Sequence, residues 1–308
     1  MMNQISEKSP PLRVLGGVVL VILMLFDTLL WALPAYMVAC LACLIRIDWI
    51  HRCAVHVEAS IVGCWVWGIK AALKISNTIS WDISGLDGLS RNQWYFIICN
   101  HQSWTDIMVI LLLFAGRIPF IRFFMKKELF DIPILGKTCR ALDCISLERY
   151  SHEHFEENPD DRGRDIVTIT ESCRNLEDRP VSLLNFPEGT RFTPEKHASQ
   201  NSPFRHLLAP KTGGCAAAIS AMGKRIRVLL DVTIVYPTVQ KRIIDFASGK
   251  IPRILVHVEH RGIPEHLLTG DYATDVQYRK NFHEWLNVLW HEKDDLIEHV
   301  YEQEKVQG

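Results

Sequence analysis

The chain has 308 residues, with 34 basic against 35 acidic side chains and a hydrophobic share of 48%. That balance excludes the basic excess that a nucleic-acid binder normally carries, and the length admits one large domain or two modest ones. Nine cysteines scattered through apolar runs, without dense spacing, exclude a secreted disulfide framework and fit a reducing compartment. Cys40 and Cys43 do form a CxxC, but within "YMVACLACLI" and with no strand before it. They read as small residues of an apolar helix rather than a redox pair.

In chain order, the first element is the run from Val14 to Ile45, whose one charge is Asp27. At ~1.5 Å per residue, about 20 helical residues cross a bilayer core. The run is too long for one straight crossing, and Pro34 is expected to break it into two arms. Two arrangements stay open: one crossing helix with an interfacial piece, or a re-entrant pair. Asp27 is expected to face a partner helix or a polar cavity. The run is far longer than the apolar core of a cleaved signal peptide. "ASIVGCWVWGIKAALKI", 59–75, follows with Lys70 and Lys74. It reads as an amphipathic interfacial helix or, alternatively, a second crossing; Trp49, Trp65 and Trp67 suit headgroup level. Residues 1–75 are therefore expected to be membrane-anchoring helices, and 76–308 an α/β domain.

Beyond residue 90 the texture alternates. Strand-like runs are "WYFIIC" (94–99), "IPFIRFF" (118–124), "DCISL" (143–147), "VSLLNF" (181–186), "RVLLDVTIVY" (227–236) and "RILVHVEH" (253–260). Helical runs are 106–115, 166–176, 212–222 and a long amphipathic one from Asp275 to about Glu304, with Val276, Phe282, Trp285, Leu286, Leu289, Leu296 and Val300 on its apolar side. The fold class expected is α/β, a layered and mostly parallel sheet flanked by helices, behind an N-terminal membrane-embedded helical segment. The acidic stretch 152–165 reads as a solvated loop rather than a metal site.

At the end of the first of these strands stands "CNHQSWTD". Inside one helix, five steps of about 100° would put His101 and Asp106 ~140° apart, out of contact. If they act together, His101 must lie on the loop and Asp106 in the first turn of a helix starting near Thr105. Asp106 can then fix the imidazole tautomer, leaving the other nitrogen to take a proton from a hydroxyl. The bland reading is that Asn, Ser, Thr and Asp before an apolar helix are ordinary capping residues. No Gly-x-Ser-x-Gly elbow surrounds Ser103. A second strand is followed by "FPEGTRF", 186–192, where Pro187 and Gly189 make a tight turn and Arg191 offers a planar cation suited to phosphate. Alone, this too reads as a surface turn with an ion pair. From Arg117 to Lys127, four cations interleave with Phe120, Phe123, Phe124 and Met125, a composition shared by an anionic-lipid surface and by a strand with exposed lysines at its end.

"NHQSWTD" followed by "FPEGTR", each after a strand, resembles the glycerolipid acyltransferase superfamily, and within it the 1-acylglycerol-3-phosphate acyltransferases. "KKELFDIPILG" and "GKTCRALDCISLER" share the family's look, and the resemblance spans roughly residues 90–240. It implies that His101 is the general base on the 2-hydroxyl of a lysophospholipid, lysophosphatidic acid first, and that Asp106 orients and charges it. The donor it implies is acyl-CoA or acyl-carrier-protein. It puts the acceptor phosphate near Arg149, Glu188, Gly189, Thr190 and Arg191, with Lys126 a further candidate. Glu188, odd beside a phosphate, is assigned to the glycerol hydroxyl or to holding Arg191. No cofactor, metal or nucleic acid is implied. Membrane lipids are expected partners, at a cell inner membrane with the site facing the cytoplasm. One departure concerns the fourth family block, usually a strand with an internal proline; here "RVLLDVTIVYP" ends on Pro237. That leaves other acceptors open, such as lysophosphatidylglycerol or a lipid A precursor. From the residues alone, a thioester or phospholipid hydrolase is the rival class.

Overall fold

The computed structural model describes residues 10–45, 47–76, 78–147, 164–174, 176, 180–238 and 241–307. Arg149 and all but the last two residues of the acidic stretch 152–165 lie outside the described residues. Helix α1 (Pro10–Leu44) and helix α2 (Asp48–Ser76) come first. The strands are β1 (Ser80–Ser84), β2 (Tyr95–Cys99), β3 (Ile121–Lys126), β4 (Ile145–Leu147), β5 (Ser182–Asn185), β6 (Val228–Val235) and β7 (Arg253–Gly262). Between and after them lie α3 (Thr105–Phe114), α4 (Pro133–Ala141), α5 (Arg164–Arg174), α6 (Pro194–Gln200), α7 (Thr212–Met222), α8 (Ile243–Ala247) and α9 (Val276–Gln307).

The strands form one sheet in the order β1-β7-β6-β2-β5-β3-β4. Every pairing is parallel except β6 with β7. The central strands β2 and β5 are buried along their whole length; β2 reads as an unbroken apolar run, while β5 carries Leu183 and Leu184 between buried Ser182 and Asn185. Their side chains alternate between two layers. Tyr95, Ile97 and Cys99 point into a core shared with α2 and α3, while Phe96 and Ile98 point into one shared with α5, α7 and α9. After β2 the chain runs into α3 on one face; after β5 it passes through the short α6 into α7 on the other. The loops after these adjacent parallel strands therefore open a crevice at the carboxyl end of the sheet, the topological position where α/β folds bind ligands.

The N-terminal run differs from the expectation in two ways. Pro34 lies inside α1 without dividing it, and α2 is a 29-residue helix that begins well before Ala59. Both helices are long and apolar enough to cross a membrane. They pack as a hairpin laid against the domain: Val66 and Ile69 of α2 belong to the same core as Val109 and Ile110 of α3. Glycines set the closest approaches. A Cβ on Gly68 would fall 2.1 Å from Asp27 Oδ1, so Asp27 is buried against the backbone of α2, the partner helix expected for it. A Cβ on Gly17 would fall 2.2 Å from the Ser248 carbonyl oxygen, where α1 crosses the end of α8. The outer side of α1 stays open, with Val14, Ile22, Leu29, Leu33 and Leu44 all more than half exposed. In α9 the expected apolar side is mostly inward, but Val276, at its first turn, is exposed.

Candidate active site

The loop after β2 is held before any substrate is considered. The Asn100 side chain makes two hydrogen bonds to the Ile234 backbone, donating to its carbonyl and accepting from its N–H, each at 2.9 Å. That extends the β2–β6 ladder one residue past the strand. Glu188 accepts from the His101 N–H at 2.7 Å and from the Leu208 N–H at 3.0 Å. The Phe192 N–H donates to the His101 carbonyl at 2.7 Å. Both backbone groups of His101 are thus tied to the segment after β5.

The His101 ring then meets Asp106. Nδ1 lies 2.9 Å from Asp106 Oδ2, and the ring stacks on Phe186 at 4.1 Å between centroids. His101 sits on the loop and Asp106 in the first turn of α3, the only arrangement that lets the pair touch. Asp106 is fully buried. Its Oδ2 also accepts from the N–H groups of Gln102 at 2.6 Å and Ser103 at 2.8 Å, and its Oδ1 accepts from the Tyr236 hydroxyl at 2.7 Å. Four donors on one buried carboxylate satisfy its acceptor positions. Burial and the Asp106 charge push the Tyr236 hydroxyl far above the usual tyrosine range, so it stays a donor. The capping and chemical readings coincide here: the carboxylate that gathers the loop amides is the one that holds the imidazole. With Nδ1 engaged, Nε2 is the nitrogen left to exchange a proton with a hydroxyl.

The segment after β5 supplies the rest. Gly189 takes φ +72°, a left-handed conformation that glycine adopts without strain. Thr190 accepts from Lys196 Nζ at 2.7 Å, and the same ammonium reaches the Arg191 carbonyl at 3.2 Å. Arg191 is exposed, with its guanidinium 5.2 Å from the Trp104 ring centre. His101, Asp106, Gly189, Thr190 and Arg191 are therefore brought to one end of the sheet. Lys126 ends β3 at that same end and is exposed.

Glu188 corrects an expectation. It faces neither solvent nor Arg191; it is fully buried, and both its oxygens are taken by backbone amides. Burial pushes its carboxyl up to about 8, against the pull of those two amides. Its position after Pro187 turns it inward, onto the amides of His101 and Leu208. Tyr236 and Asn100 are residues that sequence reasoning missed. The signal for Tyr236 was the block without an internal proline, where the strand ends in "VYP".

A mostly parallel sheet with this crevice, and a histidine–carboxylate pair beside a cationic turn, form an α/β site suited to moving a proton next to a bound anion. The acyltransferase family's sequence profile matches residues 80–239, more than half of the chain, and the chain belongs to that family. It is 26% identical over 248 residues to the 2-acyl-1-lysophosphatidylinositol acyltransferase of Saccharomyces cerevisiae, a match covering 66% of this chain and 60% of that protein. It is 25% identical over 307 residues to the probable 1-acyl-sn-glycerol-3-phosphate acyltransferase 5 of Arabidopsis thaliana, covering 96% and 76%. The chain thus spans less than two thirds of the length of the yeast relative. The fold resembles the crystal structure of the 1-acyl-sn-glycerophosphate (LPA) acyltransferase PlsC from Thermotoga maritima, with a TM-score of 0.50, 16% identity, and coverage of 95% of this chain and 98% of that one.

Proposed function

We propose that this chain is a membrane-bound O-acyltransferase that moves a fatty acyl group from acyl-CoA or acyl-carrier-protein to the sn-2 hydroxyl of lysophosphatidic acid. His101 Nε2 takes the hydroxyl proton as the oxygen attacks the thioester carbonyl carbon. The tetrahedral intermediate then collapses, the carbon–sulfur bond breaks, and the imidazolium returns the proton to the departing sulfur, which leaves as the thiol. Asp106 keeps the tautomer and stabilises the imidazolium, as the acid of a hydrolase triad does. No serine nucleophile is required, because the acceptor supplies the oxygen. Gly189, Thr190 and Arg191 receive the phosphate, with Lys126, and with Arg149 by resemblance; a guanidinium pairs with phosphate through two parallel bonds. The apolar hairpin α1–α2 would hold the crevice at headgroup depth, at an inner membrane on the side where thioester donors are made.

The observation that carries this reading is the buried Asp106 bound to Nδ1 of a partly exposed His101. The test is purified protein with labelled oleoyl-CoA and lysophosphatidic acid, with and without His101→Ala. Loss of a general base costs ~10²–10⁴-fold in rate. Transfer by the variant within tenfold of the parent, with the fold intact by circular dichroism, refutes the assignment. Thioester consumption that does not require the lysolipid would point instead to hydrolysis. A panel of acceptors including lysophosphatidylglycerol and lysophosphatidylinositol identifies the headgroup.

A further inference from the structure

A groove of about 1090 Å³ lies at the end of the sheet opposite His101. It is bounded by α1, α2, the carboxyl end of α3 and the entries to β3 and β5, including Pro180 and Val181. Its size is at the upper limit of the ~300–1,000 Å³ usual for small-molecule pockets. Leu30, Val62, Val66, Trp67 and Phe114 give it an apolar wall, and Leu30 and Trp67 are more than half exposed at its rim.

One end of this groove is cationic. Lys70 and Arg91 line it, and Arg117 stands next to the lining residues Gly116 and Ile118. The three converge on one turn: Arg91 Nη2 lies 3.9 Å from where a Cβ on Gly116 would sit, and Arg117 is close enough to Lys70 for their charges to repel. Among the described residues, none of the three is paired with a carboxylate. The other charged residues lining the groove are differently placed. Asp27 is turned against Gly68 on the α1 wall, His56 bonds to the Arg52 carbonyl, and Arg122 is held by Asp143. An apolar trough beside three clustered cations that no described carboxylate pairs is complementary to an amphiphile with a negative head.

We infer that this groove binds one diacyl anionic phospholipid of the surrounding bilayer, its phosphate on Lys70, Arg91 and Arg117 and its chains along α2, as a site separate from the one at His101. Cations beside a membrane segment recognise anionic lipid heads in this way, and Trp67 at the rim has the amphipathic ring favoured at that depth. Binding here makes no use of proton transfer, so it stands or falls independently of the acyltransferase assignment.

The test is native mass spectrometry of the full chain released from nanodiscs of phosphatidylglycerol and phosphatidylcholine in equal amounts. The parent is expected to retain one phosphatidylglycerol in clear preference to phosphatidylcholine. Two variants address the two ends of the groove. Lys70→Gln/Arg91→Gln/Arg117→Gln removes the cations, and Gly63→Phe adds bulk at a residue lining the trough where a Cβ would meet nothing within 4 Å. Each is expected to lower retained phosphatidylglycerol at least tenfold while leaving the circular dichroism spectrum unchanged. Retention equal to the parent in both variants overturns the inference, as does equal retention of phosphatidylcholine. Displacement of the phosphatidylglycerol by lysophosphatidic acid at substrate concentrations would make the groove part of the acceptor site, and overturns it too.

Discussion

Tyr236 acts on the imidazole through a carboxylate. Its hydroxyl is one of four donors to Asp106 and the one that reaches Oδ1. Removing it leaves Oδ1 without that donor and loosens the carboxylate that holds the His101 ring, at about 0.5–1.5 kcal/mol for a lost hydrogen bond. Tyr236→Phe is therefore expected to lower kcat while leaving the acceptor KM unchanged; kinetics superimposable on the parent's would refute the coupling. Glu188 makes a second prediction. Its carboxyl is raised from the usual 4.5 to about 8 by burial. Between those values the folded chain keeps a proton that the unfolded chain has released, so stability falls as pH rises through the window, by at most about 1.4 kcal/mol per pH unit. Glu188→Gln should flatten that slope in thermal unfolding. The same change turns an amide N–H toward one backbone donor, which costs about 1–3 kcal/mol at low pH.

At the level of elements, the hairpin is fastened by contacts too close for a side chain. Gly17→Ala sets a methyl against the Ser248 carbonyl, a backbone atom that no rotamer change can move. Alanine favours a helix by about 1 kcal/mol over glycine, yet overpacking costs about 1–3 kcal/mol. The expected result is a lower Tm in detergent, whereas Gly63→Ala, with open space around it, should raise the Tm. The elements were unequally legible in the sequence. β2, β5 and β6 were readable because strands buried on both faces are mostly apolar, with Ser182, Asn185, Asp231 and Thr233 the buried polar exceptions. β1 was missed because "SWDIS" is a half-exposed edge strand held by pairing with β7. Pro34 was read as a break, but its helix is supported on both sides of it, by α8 near Gly17 and by α4, where Lys137 Nζ bonds to Tyr36 at 3.1 Å. The His101–Asp106 contact was legible because it spans five residues of known local geometry. The Tyr236 contact spans 130 residues, and the burial of Glu188 depends on Leu208, so neither follows from local pattern.

Across the whole molecule, the last helix reaches the site through a relay of backbone contacts. Trp290 is fully buried, and its indole N–H donates to the Leu208 carbonyl at 3.1 Å. The Leu208 N–H holds Glu188, and Glu188 holds the N–H of His101. Lys293, one turn on, is buried against Asp231 at 2.5 Å and the Val232 carbonyl at 2.7 Å, fixing α9 to β6. Trp290→Ala should cost about 3–5 kcal/mol of stability. It should also reduce kcat at temperatures where the variant remains folded, since the loop carrying His101 loses its distal support. Normal kcat in a folded Trp290→Ala protein would show that the relay transmits nothing.

The clasp on His101 also bears on synthesis. Its amide waits for Glu188, Glu188 for Leu208, and Asp106 for a hydroxyl on residue 236. A chain still emerging from the ribosome carries His101 and Asp106 long before it can hold them in this arrangement. The clasp closes only after residue 236 has been added.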